Sequence, residues 1–112
     1  IVYEETNGLS FDKKRVKLSD SFEYSNLRVK FGDIDINQHM NSIRYIEHAL
    51  DLFPSELYFH HFLNRIEVQY GQETSLNDHL ILVNNRMDDN SICVEFRKES
   101  DETVCKIRFY FN

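Results

Sequence analysis

Three polar side chains of different chemistry occur at every second position between residues 35 and 39. Asp35 offers a carboxylate, Asn37 an amide and His39 an imidazole. In an extended chain, side chains two residues apart leave the same face, so these three groups would converge while Ile34 and Ile36 point the other way. A carboxylate beside an imidazole is suited to general acid–base chemistry.

A helix is predicted directly after this group. From Met40 to Phe53 the apolar residues step by three and four, which is typical of one helical face, and Pro54 marks the end. We expect that face to pack on a sheet; it comprises Ile43, Ile46, Ala49, Leu50 and Phe53. The N–H groups at a helix start can stabilise an oxyanion, which favours hydrolysis of an acyl compound. The alternative is that the three polar residues only cap the helix.

The spacing of the acidic residues and histidines argues against a metal site. Asp33-x-Asp35-x-Asn37 resembles the start of a calcium loop. The sixth and twelfth positions, however, hold Gln38 and Arg44 instead of the Gly and Glu that such a loop requires. The five histidines show no spacing typical of zinc ligands. We therefore predict neither a metal nor a cofactor.

The two cysteines are not predicted to take part in chemistry. Cys93 and Cys105 lack CxxC spacing and have no local signature of a thiol nucleophile. We expect both to be reduced thiols in strands of a cytoplasmic protein. A disulfide is the alternative if those strands are neighbours.

Alternation of apolar and polar residues predicts strands on both sides of the helix. Leu27, Val29 and Phe31 alternate with charged residues up to Gly32, where the apolar phase shifts and a bulge or kink is expected. Residues 55–63 fit either a short helix or a buried turn. Four more strands are predicted as a meander: residues 66–70, 79–87, 91–98 and 103–111. One helix against an antiparallel sheet is an α+β architecture.

Length and charge narrow the class of protein further. The chain has 112 residues, 13 Lys and Arg against 19 Asp and Glu, and a formal net charge of −6. This length predicts one domain, and the acidic balance counts against a nucleic-acid partner. No apolar run approaches the ~18 residues of a membrane span. Residues 1–26 are rich in turn signals and are the least organised part of the sequence.

The residues around the helix start resemble a known family. The chain reads Asp35-x-Asn37-x-His39-x-Asn41-Ser42-x-x-Tyr45-Ile46. This stretch is similar to the Asp-x-Asn-x-His-Val-Asn-Asn motif, followed by a Tyr-Ile pair, of the acyl-acyl carrier protein thioesterases of bacteria and plant plastids.

A second motif of that family, Tyr-x-x-Glu followed by Gly-Asp, is also matched. Tyr70 and Glu73 fit its first part, and Asn77-Asp78 occupies the Gly-Asp position. Asn tolerates a positive φ better than most residues, so we expect the turn to be kept. Thr74 stands where plant members carry a cysteine, which excludes a thiol nucleophile there.

The resemblance implies a hotdog fold, in which a long central helix is wrapped by an antiparallel β-sheet. It also implies an enzyme that releases free fatty acid from acyl-acyl carrier protein and so ends fatty acid synthesis. The catalytic residues carried over by the motifs are Asp35, Asn37, His39 and Glu73. Either Asp35 or Glu73 would activate a water or attack the thioester directly, while His39 and Asn37 would position that group and the carbonyl.

The same resemblance implies partners and a place for further residues. Family members carry two hotdog domains in one chain and the catalytic residues lie in the second, so this segment corresponds to the C-terminal half. By the same resemblance, residues 1–26 are interpreted as the linker that precedes the domain, and the hotdog domain is assigned to 27–112. The implied partners are an acyl carrier protein and a second hotdog domain, in the same full-length chain or by homodimerisation. Asn41 and Tyr45 are expected to bind substrate. Ser42 and His48 replace an Asn and a Trp common in the family, without touching the four catalytic positions.

Two other functions remain open at this stage. One is an acyl-CoA thioesterase of the same superfamily. The other is a hotdog domain that binds acyl groups without catalysis.

Overall fold

The computed structural model describes residues 2–6, 23–37, 39–87 and 90–112. Its helices and strands are β1 (Val2–Thr6), β2 (Glu23–Arg28), α1 (Ser42–Leu50), α2 (Ser55–His60), β3 (Leu63–Tyr70), β4 (His79–Arg86), β5 (Ser91–Lys98) and β6 (Thr103–Phe111). The six strands form one sheet in the order β1-β3-β6-β5-β4-β2. Strand β1 is parallel to β3, and the other neighbouring pairs are antiparallel.

Helix α1 packs its apolar face on the inner face of this sheet. Ile46 and Ala49 are buried, as predicted, and the Phe53 ring meets Phe109 edge-on with centroids 5.1 Å apart. Tyr45 is also buried, whereas Ile43, which we expected on this face, is 57% exposed. The reason is that the buried stripe is centred between Tyr45 and Ile46, which leaves Ile43 at its edge.

The four strands predicted after the helix are confirmed, but their arrangement is only partly a meander. Strands β4, β5 and β6 are sequential neighbours, whereas β3 pairs with β6 and not with β4. Residues 71–78 form an irregular connection between β3 and β4 instead of a tight hairpin turn. A tight turn joins β5 to β6, with the Asp101 N–H donating to the Lys98 carbonyl at 2.8 Å, and residues 88 and 89 between β4 and β5 lie outside the described residues.

The strand before the helix ends earlier than alternation predicts. Strand β2 stops at Arg28, and the chain turns through a single 3₁₀ turn, Phe31–Asp33, which leaves Phe31 exposed. The turn forms because the Asp33 carboxylate accepts the Lys30 N–H at 2.9 Å. Strand β1 and the first residues of β2 lie within the segment 1–26 that we interpreted as a linker, so the sheet begins before residue 27.

Both cysteines are buried, and neither forms a disulfide. They lie on neighbouring strands, but Cys93 is opposite Arg108 and Cys105 is opposite Phe96. An offset of three residues separates their Cα atoms by about 10 Å along the strands, which is beyond the reach of a disulfide. Within the described ranges no helix is long and apolar enough to cross a membrane.

A buried ion pair lies on strand β5. Arg97 donates from Nε to Glu95 Oε1 at 2.9 Å and from Nη2 to Oε2 at 3.2 Å, and the Thr103 hydroxyl donates to Oε1 at 2.7 Å. Burial raises the pKa of Glu95, but the hydrogen bonds from Arg97 and Thr103 and the positive charges of Arg97 and Lys106 outweigh it. The net pKa lies below the usual value for Glu.

We expect Glu95→Gln to lower the free energy of unfolding by about 3 kcal/mol at neutral pH, because the buried Arg97 guanidinium loses its carboxylate. Since the folded-state pKa of Glu95 is depressed, its stabilisation is present above the unfolded pKa of about 4.3 and is lost as pH falls through the folded value. Urea denaturation between pH 7 and pH 3 should therefore show the two stability curves converging in acid.

The matched control is the double variant Glu95→Gln/Arg97→Met, which also removes the buried cation. It should lose less stability than the two single changes added together. Equal stability of wild type and Glu95→Gln at pH 7, or a gap that widens in acid, would contradict this assignment.

Candidate functional site

The loop that carries the predicted polar group is closed at its base. Ile34 and Met40 form an isolated antiparallel bridge, and the Asp35 N–H donates to the His39 carbonyl at 3.0 Å. Residue 38 lies outside the described ranges. The prediction of an extended segment is therefore wrong, because the chain folds back on itself between residues 34 and 40.

Asp35 and Asn37 form part of this turn. The Asn37 N–H donates to Asp35 Oδ1 at 2.8 Å, and both residues are exposed. An Asp side chain that accepts a hydrogen bond from the backbone two residues later favours a turn. This local bond stabilises a turn in place of the extended segment that the alternating polar residues predicted. Asp35 thus contacts the backbone of Asn37 instead of the His39 ring, and Ile36, predicted on the opposite face, is 96% exposed.

His39 joins the loop to a second segment of the chain. Its Nδ1 lies 3.0 Å from the Thr74 carbonyl oxygen. A carbonyl only accepts, so Nδ1 carries a proton and donates. The other ring nitrogen, Nε2, lies 3.3 Å from Glu73 Oε2. The two side chains are 43% and 76% exposed, so the pair is open to solvent.

The protonation of this pair follows from the Thr74 contact. Because Nδ1 already holds one proton, Nε2 and Glu73 Oε2 form a hydrogen bond only when a further proton lies between them. The pair is therefore able to accept, hold and release one proton at the surface of the protein. This is the chemistry that general acid–base catalysis requires.

Thr74 is a residue of the candidate site that sequence reasoning missed. It is buried, and besides binding His39 its hydroxyl forms a 2.7 Å hydrogen bond with the Tyr45 hydroxyl on α1. The signal in the sequence was its position directly after Glu73, where plant members of the family carry a cysteine. We used that position only to exclude a thiol nucleophile. Thr74 connects His39, the segment after β3 and helix α1.

Tyr45 lies in the core instead of at an open substrate surface. Its ring packs edge-on against Phe96, with centroids 5.2 Å apart. Burial raises the pKa of the Tyr45 hydroxyl well above its usual value, so this group stays protonated and hydrogen-bonded to Thr74. Tyr45 therefore contacts the candidate site through the hydroxyl of Thr74.

Asn41, which we expected to bind substrate, caps helix α1. Its Oδ1 accepts the Ile43 N–H at 2.8 Å, and its carbonyl accepts from the N–H groups of Arg44 at 3.0 Å and Tyr45 at 3.3 Å. Substitution of such a cap costs about 1 kcal/mol. These three N–H groups are occupied, so they do not form the oxyanion-binding donors that we expected at the helix start.

The segment that carries Glu73 is positioned by a close approach to β6. The Gly71 N–H donates to the Val104 carbonyl at 2.7 Å and the Gln72 N–H to the Thr103 carbonyl at 3.1 Å. A Cβ at Gly71 would lie 2.3 Å from the Thr103 carbonyl oxygen. Glycine is therefore required here for the backbone to reach β6.

Asn77 ends this segment in the conformation that the motif predicts. It has a φ of 71°, and its N–H donates to the Val29 carbonyl at 2.8 Å. The Ser75 N–H donates to Asp78 Oδ2 at 2.9 Å, and the Asp78 carbonyl accepts the Val29 N–H at 2.9 Å. Residues 75–78 are thereby fastened to the end of β2. The predicted positive φ of Asn77 is confirmed.

No group of three or more His, Cys, Asp or Glu side chains in the described part of the chain could hold a metal ion. The site brings together His39 and Glu73 of the four predicted catalytic residues. Asp35 and Asn37 lie in the same loop as His39, on its exposed turn.

Solved structures of thioesterases share this fold. An acyl-ACP thioesterase from Bacteroides thetaiotaomicron superimposes with a TM-score of 0.77 at 39% identity, over 91% of this chain and 42% of that chain. The 12:0-ACP thioesterase from Umbellularia californica has a TM-score of 0.72 at 21% identity, over 90% and 40% of the two chains. The protein is a hotdog-fold domain, as the motifs predicted.

The family follows from the sequence comparisons. The family model described as the acyl-ACP thioesterase C-terminal domain matches residues 16–112, and the chain belongs to this family. Oleoyl-acyl carrier protein thioesterase 1 of Arabidopsis thaliana, a chloroplastic protein, is 35% identical over 80 residues, which cover 70% of this chain and 22% of the relative. The chain spans about a fifth of the length of the curated relatives it matches.

We expect Gly71→Ala to lower the free energy of unfolding by about 1–3 kcal/mol, because the new methyl group collides with the backbone of β6. The strain should also displace Glu73 from His39. The control is Gly32→Ala: a Cβ at Gly32 meets no atom of the described structure within 4 Å, so its stability should change by less than about 0.5 kcal/mol. Equal urea midpoints for the two variants would show that the close approach at Gly71 is not required.

Proposed function

We propose that this chain is the catalytic hotdog domain of a thioesterase that hydrolyses fatty acyl-acyl carrier protein and releases the free fatty acid. The observation that carries the proposal is the contact between His39 Nε2 and Glu73 Oε2, with His39 oriented by the Thr74 carbonyl. Membership of the acyl-ACP thioesterase family supports the same reaction.

In the proposed reaction, Glu73 accepts a proton from a water molecule as the water oxygen bonds to the thioester carbonyl carbon. The carbonyl becomes an oxyanion, and its collapse breaks the carbon–sulfur bond. The proton then moves from Glu73 to His39 Nε2, and His39 donates it to the departing sulfur, which leaves as a thiol. Direct attack on the thioester by Glu73 or Asp35 is the alternative first step, with water entering afterwards.

Asp35 and Asn37 complete the proposed catalytic set from the exposed turn. The Asn37 amide is a hydrogen-bond donor for the thioester carbonyl oxygen, and the Asp35 bond to the Asn37 N–H orients that residue. Asn41 acts on substrate indirectly in this proposal, because its side chain is used in capping α1.

We further propose that an acyl carrier protein and a second hotdog domain are the partners, and that the protein is cytoplasmic. The Bacteroides thetaiotaomicron relative supports the second domain, since its matching region is 42% of its chain.

The activity test is turnover of acyl-carrier-protein and acyl-CoA thioesters of varied chain length by the full-length chain that contains this segment. His39→Ala and Glu73→Gln should each lower kcat by about 10²–10⁴-fold, because each removes one half of the proton-transfer pair. Asp35→Ala should also abolish hydrolysis while the fold survives.

The chain offers a matched control outside the site. His79 Nδ1 lies 3.2 Å from Glu99 Oε1, and the two side chains are 52% and 73% exposed, much like His39 and Glu73. His79→Ala and Glu99→Gln should leave kcat unchanged. Wild-type turnover in His39→Ala would contradict the proposed site. Preference for CoA thioesters would favour the acyl-CoA thioesterase, and no turnover by folded protein would favour an acyl-binding domain.

A further inference from the structure

We infer that Asp33 is a positioning residue of this site: its buried carboxylate fixes the loop that carries His39 to helix α1. The inference rests on the proposed function, because it concerns the same imidazole. Neither motif that carries the family resemblance includes this position.

The carboxylate of Asp33 is surrounded by donors. The residue is 2% exposed. Oδ2 accepts the Lys30 N–H at 2.9 Å, while Oδ1 accepts from Arg44 Nε at 3.0 Å, from Arg44 Nη2 at 2.9 Å and from His48 Nε2 at 2.8 Å. A buried anion is stable in a protein only when it is paired and hydrogen-bonded in this way.

The charge state of Asp33 agrees with that geometry. Burial raises the pKa of Asp33, but the hydrogen bonds from the Lys30 backbone, His48 and Arg44 outweigh it and leave the net pKa below the usual value. Asp33 is therefore an anion at neutral pH and holds a cation on α1.

The position of Asp33 in the chain makes this anchor relevant to the site. Asp33 directly precedes the loop and Asn41 directly follows it, and the Asn41 N–H donates to the Asp33 carbonyl at 2.9 Å. Arg44 and His48 are one helical turn apart on α1, so they bind the carboxylate from one face of the helix. The base of the loop is thus fixed to the helix by side chains as well as by backbone bonds.

The effect on the site passes through His39. Its ring contacts the Thr74 carbonyl at 3.0 Å and Glu73 Oε2 at 3.3 Å, so a shift of the loop would change both distances. A displacement of about 1 Å in a catalytic group can cost about 10²-fold in rate. Asp33 therefore acts on catalysis without touching the substrate.

The test is Asp33→Asn in the full-length chain, which keeps the size of the side chain and removes its charge. We expect kcat to fall about 10–100-fold with KM changed less than threefold. Glu95→Gln is the control for destabilisation. It breaks the buried Glu95–Arg97 pair on β5, which is also a carboxylate–arginine pair but lies outside the site. It should leave kcat unchanged at a temperature where both variants are folded.

A double-mutant cycle separates anchoring from general loss of structure. Arg44→Gln should also lower kcat. The double variant Asp33→Asn/Arg44→Gln should lower kcat no further than Asp33→Asn alone, because both changes break the same contact. Unchanged kcat in folded Asp33→Asn, equal kcat losses in Asp33→Asn and Glu95→Gln, or additive effects in the cycle would overturn the inference.

A readout that needs no turnover distinguishes this inference from the proposed function. In ¹⁵N-histidine spectra, Asp33→Asn should shift the ring signals of His39, whereas Glu95→Gln should not. If the wild type hydrolyses no thioester but the His39 signals shift, the function is wrong and the anchor stands. If the signals do not shift, the anchor is wrong whatever the activity.

Discussion

The hydrogen bond from His39 Nδ1 to the Thr74 carbonyl is the contact on which the site depends. It joins two segments that lie 35 residues apart in the sequence, the loop before α1 and the connection after β3. The hydroxyl of the same threonine binds Tyr45 in the core, so helix α1 is part of the same arrangement. Together with the contact between His39 Nε2 and Glu73 Oε2, this bond links the imidazole to the segment that carries the carboxylate.

Each half of the site is fastened to the scaffold in its own way and has an exposed end. The loop with His39 is fastened at Asp33, while the segment with Glu73 is fastened by the close approach of Gly71 to β6. Charge pairing is used in one case and backbone contact in the other. Both leave the His39 and Glu73 side chains open to solvent, which fits the catalytic role proposed for loops on a fixed scaffold.

Much of this arrangement was predictable from the sequence because it depends on local pattern. Helical periodicity located α1, alternation located the four strands after it, and the motifs named His39 and Glu73. The pairing of β3 with β6 was not predictable, since alternation tells which face a residue occupies and not which strand is its neighbour. The Asp35 turn was missed because a short polar side chain can bind its own backbone. Thr74 and Asp33 were missed because their importance lies in burial, which residue type alone does not reveal.

The protonation site of His39 is the most direct test of the central contact. A ¹⁵N-histidine sample of the chain, with His39 assigned by comparison with His39→Gln, reports which ring nitrogen carries the proton when the imidazole is neutral. The expected result is the Nδ1–H tautomer, because the Thr74 carbonyl accepts from Nδ1. A neutral His39 protonated at Nε2 would contradict the contact, and with it the proposed coupling between His39 and Glu73.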